Sequence, residues 1–452
     1  MIITVLAFLL TLGVLIVVHE YGHYRVAVAC GVKVLRFSVG FGRVIWRRQA
    51  TPESTEFVLC ALPLGGYVRM LDEREGGVPA SELPRAFNRQ PLSRRTAIVA
   101  AGPLANLLLA VLLYACAHWI GVEEPKAVLG PPATSSAAHA AGLRSGDWVR
   151  AWSNEGGEWR DVRSMTDLRW ALTQAALDGR TVLLQVSDRD GRGSRTARLD
   201  LSALSSNEPD ASLMKAIGVG APFSEPLLGE VKTGGPAAAA GLRIGDRVTQ
   251  VDEVAIGDAQ TLRERIRASA GVEMRWVVER DGRLLELPVK PRAVQDGDVE
   301  VGRIDAFVGQ PPAMVTVTLG PIDGLVQGAQ RTWEVSALTV QMLGRMLIGE
   351  ASLKNLSGPL TIADFAGQSV QQGLAYYLGF LALVSVSLGV LNLLPLPMLD
   401  GGHLMYYLFE AVTGRPVSDL WLARLQRGGI ALLLMMMSVA LFNDVARLLG
   451  LH

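Results

Sequence analysis

A predominantly apolar run from Ile2 to Val18 ends in His19-Glu20-Tyr21-Gly22-His23. No other stretch restricts the chain more. The run is long enough, with the residues that follow it, to cross a bilayer as a helix. Ionisable side chains at membrane depth are costly and are kept where they serve a purpose. On a helix, residues four apart share a face one turn apart, so His19 and His23 can address a common ion. Two imidazoles on one face suit zinc, and the Glu beside the first can act as general base toward water that the metal activates. The chain has six His in all, and two of them form this pair.

Composition supports a membrane protein. Half of the 452 residues are apolar, and the excess gathers in a few blocks. Lys plus Arg and Asp plus Glu are each 43, so the net charge is zero and nothing global points to nucleic acid. The three Cys, at 30, 60 and 116, lie outside the polar middle of the chain, which argues against a disulfide framework there. The N-terminus lacks the basic start of a signal peptide, since the first Lys or Arg is Arg25. It reads as a retained first span from Ile2 to about Ala29.

The rest of the chain follows in order. Residues 24–96 hold twelve Lys/Arg against six Asp/Glu, which places this loop in the cytoplasm and the N-terminus outside. Within it, Val34 to Val44 and Glu56 to Arg69 carry strand formers broken by Gly40, Gly42, Gly65 and Gly66. Thr96 to Val122 is an uncharged second span, in which Asn106 is expected to make a helix–helix hydrogen bond. From Ala127 to Ala313 the chain is polar and contains a repeat. Ala140-Ala141-Gly142-Leu143-Arg144-Ser145-Gly146-Asp147 matches Ala239-Ala240-Gly241-Leu242-Arg243-Ile244-Gly245-Asp246. Each copy leads to a helix-like segment (Met165 to Ala176; Asp258 to Ala270) and then a strand and turn. The pattern resembles bacterial PDZ domains, which bind peptides by strand addition. Two such domains, 127–220 and 221–310, would then lie in the periplasm of a Gram-negative cell. Residues 311–373 follow as an amphipathic helical region, with the clearest pattern from Val326 to Ile348.

A third span is expected from Leu374 to Leu399, ending in Asn392-Leu393-Leu394-Pro395-Leu396-Pro397-Met398-Leu399-Asp400-Gly401-Gly402-His403. Broken helix at membrane depth is tolerated where it is buried in protein or lines a wet cavity. Depth counting brings Asp400 level with His19 and His23. A short loop with Arg415, Arg424 and Arg427 and a last span around Gly428 to Phe442 complete the chain, with the C-terminus outside. The architecture expected is a bundle of four transmembrane helices with two tandem α+β domains inserted between spans 2 and 3.

A hydrolytic zinc site takes three protein ligands and keeps a position for water. His19 and His23 supply two. Asp400 is the best-placed third, with His403 competing on spacing alone. Glu20 would take a proton from water and hand it to the leaving amide nitrogen. Asn392 can bond a substrate backbone or a developing oxyanion, or it can cap the broken helix.

HExxH in a first membrane helix, N-x-x-P-x-P-x-L-D-G in a later one and a PDZ pair between them resemble the site-2 protease family of intramembrane zinc metalloproteases. The resemblance is to the regulator of sigma-E protease group, and it covers essentially the whole chain. His19, Glu20, His23, Asn392, Pro395, Pro397, Asp400 and Gly401 all match, as does Pro-Leu-Gly-Gly-Tyr-Val from Pro63 to Val68. It implies one zinc ion per chain and a membrane-associated β-element, with Gly65, Gly66 and Tyr67, that presents substrate as a strand beside Asn392 and Pro397. It also implies substrates with a single membrane span: an anti-sigma factor already trimmed by a first protease, and leftover signal peptides. The PDZ pair is expected to act as a size filter. Three rivals are a zinc-containing PDZ scaffold without catalysis, a peptidase for soluble periplasmic peptides and a metal transporter. Glu20 argues against the scaffold, the depth of the site against the peptidase, and four spans without an inverted repeat against the transporter.

Overall fold

The computed structural model describes residues 2–204, 211–297, 299–348 and 358–448. The chain divides into two units, residues 1–122 with 318–452, and residues 123–317.

The first unit is helical. Its helices are α1 (Ile2–Ala29), α2 (Leu92–Ile120), α3 (Pro321–Leu347), α4 (Pro359–Gln372), α5 (Leu374–Leu393), α6 (Asp400–Thr413) and α7 (Asp419–Leu448). Among the described residues, α1, α2, α5 and Leu420–Val445 within α7 are long and apolar enough to cross a membrane. Their apolar side chains divide by face. On α1, Ile2, Val5, Leu6 and Leu10 are exposed, as lipid contact requires. Ala7 and Leu15 pack with Ala366 of α4 and with Tyr377 and Leu381 of α5. Buried Thr11 meets the Tyr377 hydroxyl at 3.1 Å, so a polar contact also joins α1 to α5. On α2, Ala110 and Tyr114 pack against Ala382, Val386 and Val390 of α5.

Several boundaries differ from the sequence reading, each for a local reason. The expected third span to Leu399 overruns the helix, which stops at Leu393. Pro395 has no N–H to continue the ladder, and the residue before it is steered out of helical geometry. Arg424 and Arg427 are not in a loop but on α7. Arg is a good helix former, and its long stem lets the charge reach water from a helix end. Helix α2 begins at Leu92 behind Pro91, and α3 begins at Pro321 instead of near Val326, with proline in the first helical position it tolerates. Asp444, almost fully buried on α7, accepts hydrogen bonds from the backbone N–H of Gly358, Leu360 and Thr361 at 3.0, 2.9 and 3.2 Å. It thereby caps the start of α4, whose first amides have no partner within their own helix.

Between α1 and α2, β1 (Val34–Arg48) and β2 (Glu56–Met70) form an irregular sheet. Each long strand folds back on itself. Residues 34–39 pair with 66–70 on one side and with 56–59 on the other, and 44–48 pair with 57–60. The spatial order is therefore 44–48, 56–60, 34–39 and 66–70, and the segment 66–70 is an edge. Gly40 and Gly42 sit at the fold-back with φ of +85° and +86°, a region that favours glycine.

The second unit contains two four-stranded antiparallel sheets of identical order. One runs Arg160–Asp161, Trp148–Asn154, Thr181–Ser187, Arg195–Asp200. The other runs Val254–Ala255, Arg247–Val251, Met274–Arg280, Arg283–Val289. Each has its own apolar core and one main helix, Met165–Leu177 capped by Ser164 and Ala259–Ala268 capped by Asp258. The repeated octapeptide has a clear physical basis. Gly142 and Gly241, and Gly146 and Gly245, all have positive φ. Leu143 and Leu242 are buried. Asp147 and Asp246 each accept the backbone N–H three residues earlier at 2.8 Å and pair with Arg195 and Arg280 respectively.

Candidate metal centre

The site belongs to the first unit, and α1 supplies its base. His19 and His23 lie one turn apart, their ring centroids 4.8 Å apart and their planes 83° to each other. Their Nε2 atoms are 3.2 Å apart. Helix α2 sets the second ring, since His23 Nδ1 is 2.8 Å from the Ile98 carbonyl. The two helices can approach because small residues line the contact. A Cβ on Gly22 would lie 2.4 Å from the Ala101 carbonyl, and one on Gly102 would lie 2.2 Å from His23 Nε2.

Asp400 arrives from the far end of the chain. Residues 394–399 turn the backbone between α5 and α6, and Met398 takes a φ of +83°, a strained value for a side chain of that size. The two glycines after Asp400 let the first turn of α6 fold onto that segment. A Cβ on Gly401 would meet the Leu394 carbonyl at 2.1 Å, and one on Gly402 the Leu396 carbonyl at 2.4 Å. From α7, a Cβ on Gly429 would lie 2.6 Å from Pro397. This packing aims Asp400 Oδ2 at both imidazoles, 3.2 Å from His19 Nε2 and 3.5 Å from His23 Nε2.

The three atoms form a near-equilateral triangle. Ligands about 2.0 Å from a tetrahedral zinc stand about 3.3 Å apart, so these edges fit that ion. Asp400 Oδ2 is also buried without a hydrogen-bond partner, which a cation would remedy. Two imidazoles and a carboxylate are a donor set zinc accepts. His403 does not join this group; its ring lies edge-on to Tyr406 at 6.0 Å.

Glu20 occupies the next position on α1, half-buried, where the sheet edge reaches the helix. A Cβ on Gly66 would lie 3.0 Å from Glu20 Cγ and 2.9 Å from Ile16 Cγ2, so only glycine lets the strand come this close. The Val68 backbone hydrogen-bonds Glu20. Gly65, at φ +121°, packs on Phe41, and Phe41 stacks on Tyr67 with centroids 6.1 Å apart. The structure therefore gathers His19, His23 and Asp400 into one cluster, with the strand bearing Gly65, Gly66 and Tyr67 against the adjoining Ile16–Glu20 face of α1. Pro397 is in the turn that carries Asp400. Asn392 lies half-buried in the last turn of α5, and its side chain makes no hydrogen bond among the described residues. Ile98, Gly22 and the fit of Gly102 against His23 escaped the sequence reading; the one available signal was small residues inside apolar helices. Asn106 was expected to bond between helices, and it does so with His19: its Nδ2 is 3.2 Å from His19 Nδ1.

Comparison with known proteins points to a family of metallopeptidases. The model for Peptidase family M50 matches residues 7–436. A protein of Ralstonia nicotianae, named as a candidate zinc metalloprotease, is 43% identical, with all of both chains covered. Regulator of sigma-E protease RseP of Escherichia coli is 38% identical over 98% of each chain. Its counterpart in Salmonella typhimurium is 38% identical over 98% of each chain.

Proposed function

The chain belongs to peptidase family M50 and is a zinc-dependent protease of the site-2 type, and on that premise we propose that His19, His23 and Asp400 hold the metal, one ion per chain, while Glu20 carries the proton. The observation that supports this most is the 3.2 to 3.5 Å triangle of ligand atoms beside a carboxylate that is free of it. Zinc, when bound, acts as a Lewis acid toward water and a peptide carbonyl. Glu20 takes the proton from water and passes it to the leaving amide nitrogen. A membrane helix hides its amides in its own hydrogen bonds, so the scissile stretch must be unwound. The edge at 66–70 runs past Glu20 and offers replacement hydrogen bonds by strand addition. Asn392 is read as a donor to the substrate backbone or the oxyanion, and Pro397 as part of the wall.

The substrates proposed are single-span proteins of the anti-sigma-factor type, cut inside the membrane after a first protease has trimmed them, and leftover signal peptides. The chain is read as a multi-pass inner-membrane protein with the basic first loop cytoplasmic and both termini and the repeat domains periplasmic. Cleavage in detergent of a span with a short periplasmic stub tests the reading. A chelator should stop it and added zinc restore it. Cleavage that persists without metal would refute it.

The tandem domains are read as PDZ modules that exclude bulky substrates. One detail favours exclusion over peptide capture. Arg169 and Arg263, each five residues after its helix cap, donate to the carbonyls of Gly220 and Val308, so in each module a side chain of the main helix spans to the backbone near the module's C-terminal end. The insertion leaves and returns through paired strands, Val122–Pro125 and Met314–Val317, with Lys126 N–H bonded to the Ala313 carbonyl at 2.8 Å. Deleting residues 127–310 therefore joins neighbouring ends. The deletion should keep parental zinc content and cut intact and trimmed substrates at similar rates. Retained preference for the trimmed form would count against the filter.

A further inference from the structure

We infer that Asn106 is the positioning residue for His19, its side-chain carbonyl accepting the Nδ1 proton so that Nε2 is held toward the metal. This rests on the reading of His19 as a ligand and extends it to a residue outside both motifs. Asn106 is fully buried, with its amide group 3.2 Å from His19 Nδ1, and its Oδ1 has no partner. A neutral imidazole that offers Nε2 to a metal carries its proton on Nδ1. With the –NH2 group facing Nδ1, two donors would oppose each other while a buried acceptor went unused. The carboxamide has the same outline turned over, and half a turn about its bond to Cβ sets Oδ1 against the Nδ1 proton and ends the clash of donors, while the –NH2 group takes the place that Oδ1 leaves. His23 already has this arrangement, its Nδ1 facing the Ile98 carbonyl at 2.8 Å. Both acceptors then come from α2, two turns apart, and each fixes the tautomer and tilt of one ligand. Asn106 is itself held, since its backbone carbonyl accepts from Ser385 Oγ of α5 at 2.7 Å.

A plain helix–helix contact would make the same bond without steering the metal, and zinc affinity separates the two. The test is chelator competition for zinc on detergent-purified parent, Asn106→Leu, Asn106→Asp and His19→Ala. Asn106→Leu keeps the bulk and loses the acceptor, so its zinc affinity should fall by about 10- to 100-fold. Asn106→Asp keeps an acceptor and should hold zinc at least as well as the parent. Parental affinity in Asn106→Leu overturns the inference, and so does equal weakening in both Asn106 variants. Zinc binding that His19→Ala leaves unchanged would instead remove the ligand reading on which it rests. Nitrogen-15 histidine spectra of the zinc-loaded parent give a check that needs no variant. A proton on His19 Nδ1 with metal on Nε2 is expected, and the opposite tautomer refutes the role.

Discussion

Replacing Glu20 with Gln is expected to lower cleavage of a trimmed single-span substrate by about 10²- to 10⁴-fold, the usual contribution of a positioned acid–base group. Zinc content should stay parental, because the three converging atoms belong to His19, His23 and Asp400. The amide has nearly the shape of the carboxylate, so packing against Gly66 should survive. What disappears is the capacity to accept a proton from water and return it to nitrogen. Measuring metal content and cleavage on the same preparation separates this from collapse of the site. Equal cleavage by parent and variant would take Glu20 out of the mechanism, and loss of zinc together with activity would make it structural.

How legible such a site is depends on how local its causes are. HExxH needs only one helix, so spacing along the chain gives the geometry of two ligands directly. The four apolar helices and the repeated octapeptide are local in the same sense: hydropathy and positive-φ glycines act within a few residues. Asp400 lies nearly four hundred residues from His19, and only depth counting and the family resemblance connected them. The competition from His403 could not be settled on spacing, because it turns on where α6 starts. That start depends on Gly401 and Gly402 lying against the backbone of residues 393–397. The same gap explains the overrun of the third span: an apolar composition continues through the prolines although helical hydrogen bonding does not. Contacts between helices were the least legible. Ile98 contributes only a carbonyl, which any residue could provide, and Gly22 and Gly102 matter for what they lack.

The missing side chain at Gly102 predicts a second large effect. Gly102→Ala adds one carbon, yet its ideal position lies 2.2 Å from His23 Nε2, 2.6 Å from Cε1 and 2.8 Å from Cδ2. The ring has little freedom to yield. Swinging it away stretches the 2.8 Å contact from Nδ1 to Ile98 or breaks the ligand triangle. Moving α2 instead separates it from α1, where Gly22 already touches the Ala101 carbonyl. Overpacking of this kind costs about 1–3 kcal/mol, and displacement of a reacting group by about 1 Å can cost about 10²-fold in rate. Gly102→Ala should therefore release zinc to a chelator more readily than the parent and cut substrate about 10²-fold more slowly. Gly13→Ala is the matched control on α1, since nothing lies within 4 Å of its added carbon, and it should behave as the parent does. Alanine favours helix over glycine by about 1 kcal/mol, so propensity alone would improve both variants, and only the contact with His23 sets them apart. Parental zinc retention and cleavage in Gly102→Ala would mean that the closeness of α2 to the metal ligands does not govern the site.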